Sequence, residues 1–232
     1  MKVAAFSPHL DDAVFSAGSR LADHAARGDE VEIHTVFTGN VDRPQGFALA
    51  CQLDKGLGPE VDYMALRRAE DVAACAHIGA EAVHWPLLEA PHRGYHNAAA
   101  LFGPRLPGDT VFEEVLKRVE GVLNSFQPDC IYAPYGVGAH VDHLVVREAV
   151  ECACNDAILW EDYPYAMRET SPPRGVEREA GSPALAERKL AAVLAYDSQL
   201  GFQFGSREEA ARQLGAWGQE GFTRPMPRPL PG

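Results

Sequence analysis

The feature that most constrains the fold is the alternation of strand, helix and strand in the first 37 residues. Lys2 to Phe6 is a short apolar run, which suits a strand buried on both faces. A loop from Ser7 to Asp12 follows. From Ala13 to Arg27, Val14, Ala17, Leu21 and Ala25 recur on one helical stripe, and Gly28 stops the helix. Val31 to Phe37 then returns as a strand rich in β-branched residues. A unit of this kind predicts two parallel strands joined by a right-handed crossover.

The same alternation continues. Helices are expected over Met64 to Ile78, Val111 to Ser125, Val141 to Cys154, Ala184 to Tyr196 and Arg207 to Leu214. Strands are expected over Ala82 to Leu87, Cys130 to Ala133 and Ala157 to Trp160. Asn40 to Pro59, Glu89 to Asp109 and Pro164 to Pro183 read as irregular, because proline and glycine interrupt them. There is no internal repeat. The pattern predicts a Rossmann-like three-layer α/β sandwich with a mostly parallel central sheet. The expected organisation is a single domain over residues 1–232, with a proline-rich surface tail from about residue 222.

Charge and cysteine usage narrow the function. Asp plus Glu is 33 against 21 for Lys plus Arg, a formal net charge of −12. Nucleic acid as a partner is excluded, since phosphate binding needs a basic face. No run of 18 apolar residues occurs, and a carboxylate pair appears by Asp11, too early for a signal-peptide apolar region. The expectation is a cytoplasmic protein with no membrane partner. The five cysteines form no CxxC pair, which predicts buried free thiols.

Two clusters carry the chemistry. Ser7-Pro8-His9-Leu10-Asp11-Asp12 follows the first strand, and His140-Val141-Asp142-His143 follows a later one. Open α/β sheets bind ligands outside the carboxyl ends of their strands, and each cluster opens a helix there. A catalytic zinc site uses three imidazole or carboxylate ligands and leaves a position for water. His9, Asp12 and His143 fit that count, and His9 and Asp12 face one another if their turn is tight. Asp11, beside them, would act as general base. Taken singly, an Asp-Asp pair or Asp142 reads equally well as a helix cap; the specificity lies in the conjunction.

These motifs, with Ser16-Ala17-Gly18 and Gly138-Ala139 flanking them, resemble the LmbE-like or PIG-L family of zinc-dependent N-acetylglucosaminyl deacetylases. Arg67-Arg68-Ala69-Glu70, Glu161-Asp162-Tyr163-Pro164-Tyr165 and Tyr196-Asp197-Ser198-Gln199 resemble further segments of it. The resemblance implies that His9, Asp12 and His143 bind zinc, with another divalent ion such as Fe2+ using the same ligands. It implies that Asp11 is general base and then acid, that His140 stabilises the oxyanion, and that Asp142 orients His140. It assigns Arg67 to the substrate, where the alternative is an ion pair with Glu70 three residues on. Glu89 is expected to bind a sugar hydroxyl or to be a surface carboxylate, and Tyr135 to line the cavity or to sit in the core. Leu10 and Val141 replace prolines of the family pattern, and neither supplies a metal-binding side chain.

The implied reaction is removal of an N-acetyl group from an N-acetylglucosamine-type sugar or its conjugate, releasing acetate. The implied partner is that small-molecule substrate; a homo-oligomer is compatible with the family. The alternatives are a hydrolase of another amide or ester, and a catalytically inactive sugar-binding relative. Nucleotide binding by the first βαβ unit is disfavoured. No GxGxxG follows the first strand, and the Asp11-Asp12 pair would repel a pyrophosphate.

Overall fold

The computed structural model describes residues 1–169 and 173–223. Strand β1 (Lys2–Ser7) leads into helix α1 (Asp12–Ala26) and strand β2 (Glu30–Thr35). Helices α2 (Gly46–Leu53) and α3 (Tyr63–Ile78) precede β3 (Glu81–His84). Next come α4 (Ala98–Leu101), α5 (Val111–Ser125), β4 (Cys130–Pro134), α6 (Val141–Ala153) and β5 (Ile158–Trp160). The last elements are β6 (Val176–Glu179), α7 (Pro183–Val193), α8 (Asp197–Phe204), α9 (Arg207–Trp217) and β7 (Glu220–Thr223).

All seven strands join one sheet in the order β3-β2-β1-β4-β5-β7-β6. β1 to β5 are mutually parallel, whereas β7 pairs antiparallel with both β5 and β6. Alternating residues of β1 serve opposite faces, as the pleat demands. Val3 and Ala5 join a core with α1, α3 and α7, and Ala4 and Phe6 join a second core with α5 and α6. β1 lies between β2 and β4, so the crossovers diverge there. One helix leaves β1 for one face of the sheet, and another leaves β4 for the opposite face. The crevice between them is the ligand position of doubly wound folds. No helix among the described residues is long and apolar enough to cross a membrane.

Several segments differ from the sequence reading. Short helices occupy stretches expected to be irregular: α2 within Asn40 to Pro59, and α4 within Glu89 to Asp109. α8 fills residues between the two expected C-terminal helices, and β6 lies within Pro164 to Pro183. β3 stops at His84, because Pro86 cannot donate to the ladder. The surface tail expected from about residue 222 does not include that residue itself. Phe222 is buried in β7, and residues 224–232 lie outside the described residues. All five cysteines are free thiols; only Cys75 is buried, and Cys152 is exposed.

β7 matters because of Glu220. Its carboxylate accepts from the backbone N–H groups of Ser19 and Arg20, at 2.7 and 2.9 Å, inside α1. It also accepts from Lys189 Nζ of α7, at 2.7 Å. Both ionic side chains are buried. Removing one member of such a pair strands a buried charge. Glu220→Ala is therefore expected to destabilise the fold by about 3–5 kcal/mol, read as a lower midpoint of urea unfolding at unchanged slope.

Candidate functional site

The turn after β1 is built by one hydroxyl. Ser7 Oγ donates to the carbonyl of His9 at 2.7 Å and accepts from Ala13 N–H at 3.0 Å. The Asp11 N–H closes onto the same His9 carbonyl at 2.9 Å. This tightness brings His9 and Asp12 together: Asp12 Oδ2 accepts from the His9 N–H at 2.9 Å and lies 3.1 Å from His9 Nδ1. Leu10, at the position of the family's proline, is fully buried in the core.

The turn after β4 is set by backbone conformation. Gly136, Gly138 and Ala139 all have positive φ. At Gly138 a side chain is excluded twice over, by φ +82° and by the Tyr165 ring, 2.9 Å from where a Cβ would stand. The chain then enters α6 with His140 as its N-cap, and the Asp142 N–H donates to His140 Nδ1 at 3.2 Å. His140 therefore carries its ring proton on Nε2. Burial depresses its pKa to about 3, against the opposing charge of Asp142. The neutral ring is a hydrogen-bond donor through Nε2–H.

His143, one turn into α6, is fully buried and points at Asp12, with Nε2 3.2 Å from Asp12 Oδ2. Its other nitrogen, Nδ1, is held at 2.7 Å by Asp162 Oδ1. The second oxygen of Asp162 accepts from Gly136 and Val137 N–H groups, at 2.6 and 2.8 Å. His9 is held in the same manner: Asp142 Oδ2 lies 3.0 Å from its Nε2 and also accepts from the Ala90 N–H at 3.0 Å. Arg93 donates to the other Asp142 oxygen at 2.7 Å. Arg93 is itself fixed by Asp109 and the Leu88 carbonyl, with its guanidinium over the Phe37 ring.

Each imidazole thus has one nitrogen on an outer carboxylate and the other facing Asp12. The three inner donor atoms, from His9, Asp12 and His143, lie within 4.8 Å of one another. His143 Nε2 is buried and makes no hydrogen bond. A nitrogen lone pair aimed at a carboxylate in a buried pocket fits a cation between them, and carboxylate-held imidazoles are the usual surroundings of such ligands. Charge follows the same geometry. Burial alone would lower the pKa of His9, but Asp12 and Asp142 outweigh it and raise it to about 9. Burial opposes ionisation of Asp12, yet His143 and His9 hold its pKa well below the usual range. The arrangement is that of a divalent-metal site.

Asp11 does not join that group. Burial pushes its carboxyl up to about 6, against the pull of the Arg67 guanidinium 3.6 Å away. Arg67 is paired with Glu89 at 2.6 Å and not with Glu70, which instead accepts from Ser198. His9, Asp11, Asp12, Arg67, Glu89 and His140 all line one cavity of about 410 Å³.

Two expected placements are corrected. The Asp142 carboxylate holds His9, and only its backbone N–H reaches His140, because α6 starts between the two side chains. Of the two placements expected for Tyr135, the cavity one fails and the core one holds: it packs against the core of α5 and α6, with the Arg147 guanidinium 4.6 Å from its ring. Tyr165, edge-on to His143, is among the aromatic side chains that do line the cavity. The sequence reading assigned no role to Asp162, Arg93 or Tyr165, although Asp162 and Tyr165 stood inside a segment singled out for its resemblance.

A doubly wound sheet with a His-Asp-His group at its switch point defines an α/β protein with a candidate divalent-metal site. Residues 4–154 match the family described as PIG-L, GlcNAc-PI de-N-acetylase, and the chain belongs to that family. It is 33% identical over 166 residues, 69% of its length, to 2'-N-acetylparomamine deacetylase of Streptomyces fradiae. The match spans 56% of that relative's length. Among solved structures it is similar to the zinc-inhibited form of the teicoplanin deacetylase Orf2, with TM-score 0.78, 28% identity and 96% of each chain covered. It is also similar to a deacetylase–teicoplanin complex, with TM-score 0.78 and 28% identity over 98% of this chain and 100% of that one.

Asp162→Asn is expected to present an amide N–H to His143 Nδ1 and drive the ring proton to Nε2, the atom that faces Asp12. Metal affinity is then expected to fall about 10- to 100-fold, read by competition with a chromophoric chelator, while near-ultraviolet circular dichroism stays native. Unchanged affinity would detach Asp162 from the site.

Proposed function

We propose that the chain is a zinc-dependent hydrolase that removes the N-acetyl group from an N-acetylglucosamine-type amino sugar or its conjugate. The observation that carries this reading is one juxtaposition at the floor of the cavity. A His9-Asp12-His143 donor set stands beside a separate carboxyl, Asp11, and an imidazole donor, His140. Zinc suits two imidazoles and a carboxylate, and the deacetylase relatives support the acetamide as substrate.

A divalent cation bound by these three side chains supplies Lewis-acid polarisation of the amide carbonyl and a more acidic water. The chain's own groups do the rest. Asp11, whose pKa of about 6 is suited to proton transfer near neutrality, takes the proton of the attacking water at its carboxylate. It returns that proton to the nitrogen as the C–N bond breaks, so that acetate and a free amine leave. His140 Nε2–H donates to the carbonyl oxygen as charge develops there. A neutral imidazole does this without first giving up a proton. Arg67 and Glu89, locked to one another, hold the sugar hydroxyls above Asp11. Asp142 and Asp162 fix the orientations of His9 and His143.

Asp11→Asn is expected to retain its metal and to lose turnover by about 10²- to 10⁴-fold, measured as acetate released from N-acetylglucosamine glycosides by the zinc-loaded protein. Near-normal turnover in that variant would remove Asp11 from the base role. His143→Ala is expected to lose the metal itself; full occupancy by elemental analysis would take His143 out of the ligand set.

A further inference from the structure

The cavity above the site has two parts of different character. Its floor is polar, made by Asp11, Arg67, Glu89 and His140. From there a stack of cations and aromatic rings leads outward. The Arg67 guanidinium lies 5.3 Å from the Tyr63 ring, Lys55 Nζ lies 5.5 Å from the same ring, and Lys55 Nζ lies 4.4 Å from the Phe202 ring. The outer end is walled by Phe202 of α8 and by Phe47 and Ala48 of α2. Phe202 is 53% exposed, and of the eight residues of α2 only Gln52 is buried. Phe47 and Ala48 of α2 and Phe202 of α8 therefore face the cavity, whereas Leu200 and Phe204 of α8 turn to the core. Exposed aromatic surface next to a polar site marks a place where a ligand is covered.

Charge around this outer part is equally informative. Asp42, Asp54 and Glu60 are exposed along it. Lys55, the cation on this wall, is already committed to the Cys51 carbonyl at 2.8 Å and to Phe202. An anionic group would meet these three carboxylates there against the single ammonium of Lys55 among the described residues of that wall.

We infer, given the deacetylase reading above, that the outer part of the cavity takes an apolar, uncharged aglycone carried by the amino sugar. Arg67 and Glu89 read the sugar; Phe202, Phe47 and the stem of Lys55 read what is attached to it. The same carboxylates would repel a sugar phosphodiester.

The test compares three N-acetylglucosamine derivatives: the methyl glycoside, the 2-naphthyl glycoside and the 1-phosphate. Acetate release is measured with the zinc-loaded full chain, and binding of the same three is measured by calorimetry on Asp11→Asn. The naphthyl glycoside is expected to exceed the methyl glycoside about tenfold or more, in kcat/KM and in affinity, with the phosphate poorest. Phe202→Ala, at an exposed position, is expected to bring the naphthyl-to-methyl ratio close to one. Equal handling of the two glycosides, or preference for the phosphate, would overturn the inference. Equal binding in a chain that sediments as a dimer dissociated by Phe202→Ala would also overturn it, by assigning the apolar wall to a second copy. Preferential binding of the naphthyl compound without acetate from any of the three would leave the subsite standing and overturn the deacetylase reading.

Discussion

Asp142 and Asp162 carry the strain of this architecture. Both carboxylates are almost wholly buried, and a buried charge is tolerable only when its lone pairs are used. Asp142 spends them on His9, Arg93 and the Ala90 N–H; Asp162 spends them on His143 and two backbone N–H groups. Each therefore ties one imidazole to a loop from elsewhere in the chain. His9 becomes tied to the segment containing Ala90 and Arg93, and His143 to the turn at Gly136 and Val137. The ligand geometry is a product of these tethers more than of α1 or α6.

The sheet supplies the remaining precision. β1 and β4 run side by side, with Val3 opposite Cys130 and Ala5 opposite Tyr132, so the turns that follow them emerge at the same level. Asp11 and Asp12 arrive from one turn and His140 and His143 from the other. Mutual distances are thus set by backbone ladders, which vary little, and the variable part of the molecule is left to the rim. That division explains how a family pattern tolerates Leu10 and Val141. Both side chains are buried away from the donors, Leu10 in the core and Val141 against Ala90 and Tyr95.

Legibility in the sequence followed the same division. β1 was readable as a continuous apolar run buried on both faces, β2 as a run rich in β-branched residues, and α1 and α5 because apolar residues recur at 3.6 with one face buried. The metal donors were readable because His9 and Asp12 are three apart on a turn and His143 opens a helix. The rim was not. α2 is apolar without an amphipathic stripe, follows Pro44 and opens on Gly46; α4 is a single turn; α8 carries Gly201 in its interior. β6 is mostly charged, and β7 is short, so neither shows alternation. Partners far apart in the chain were also hidden: spacing suggested Glu70 for Arg67 and the family resemblance suggested His140 for the Asp142 carboxylate, while the fold supplied Glu89 and His9.

Glu220 has a consequence for the order in which the molecule is completed. A protein is made from its N-terminus, and α1 emerges early, yet the carboxylate that satisfies the N–H groups of Ser19 and Arg20 is 200 residues away. Until β7 exists, the segment that opens with Asp12 lacks one of its buried partners and Lys189 lacks its counter-charge. The closing strand thus acts as a seal on the opening helix. The packing of α1 against α7 is completed only once β7 is in place.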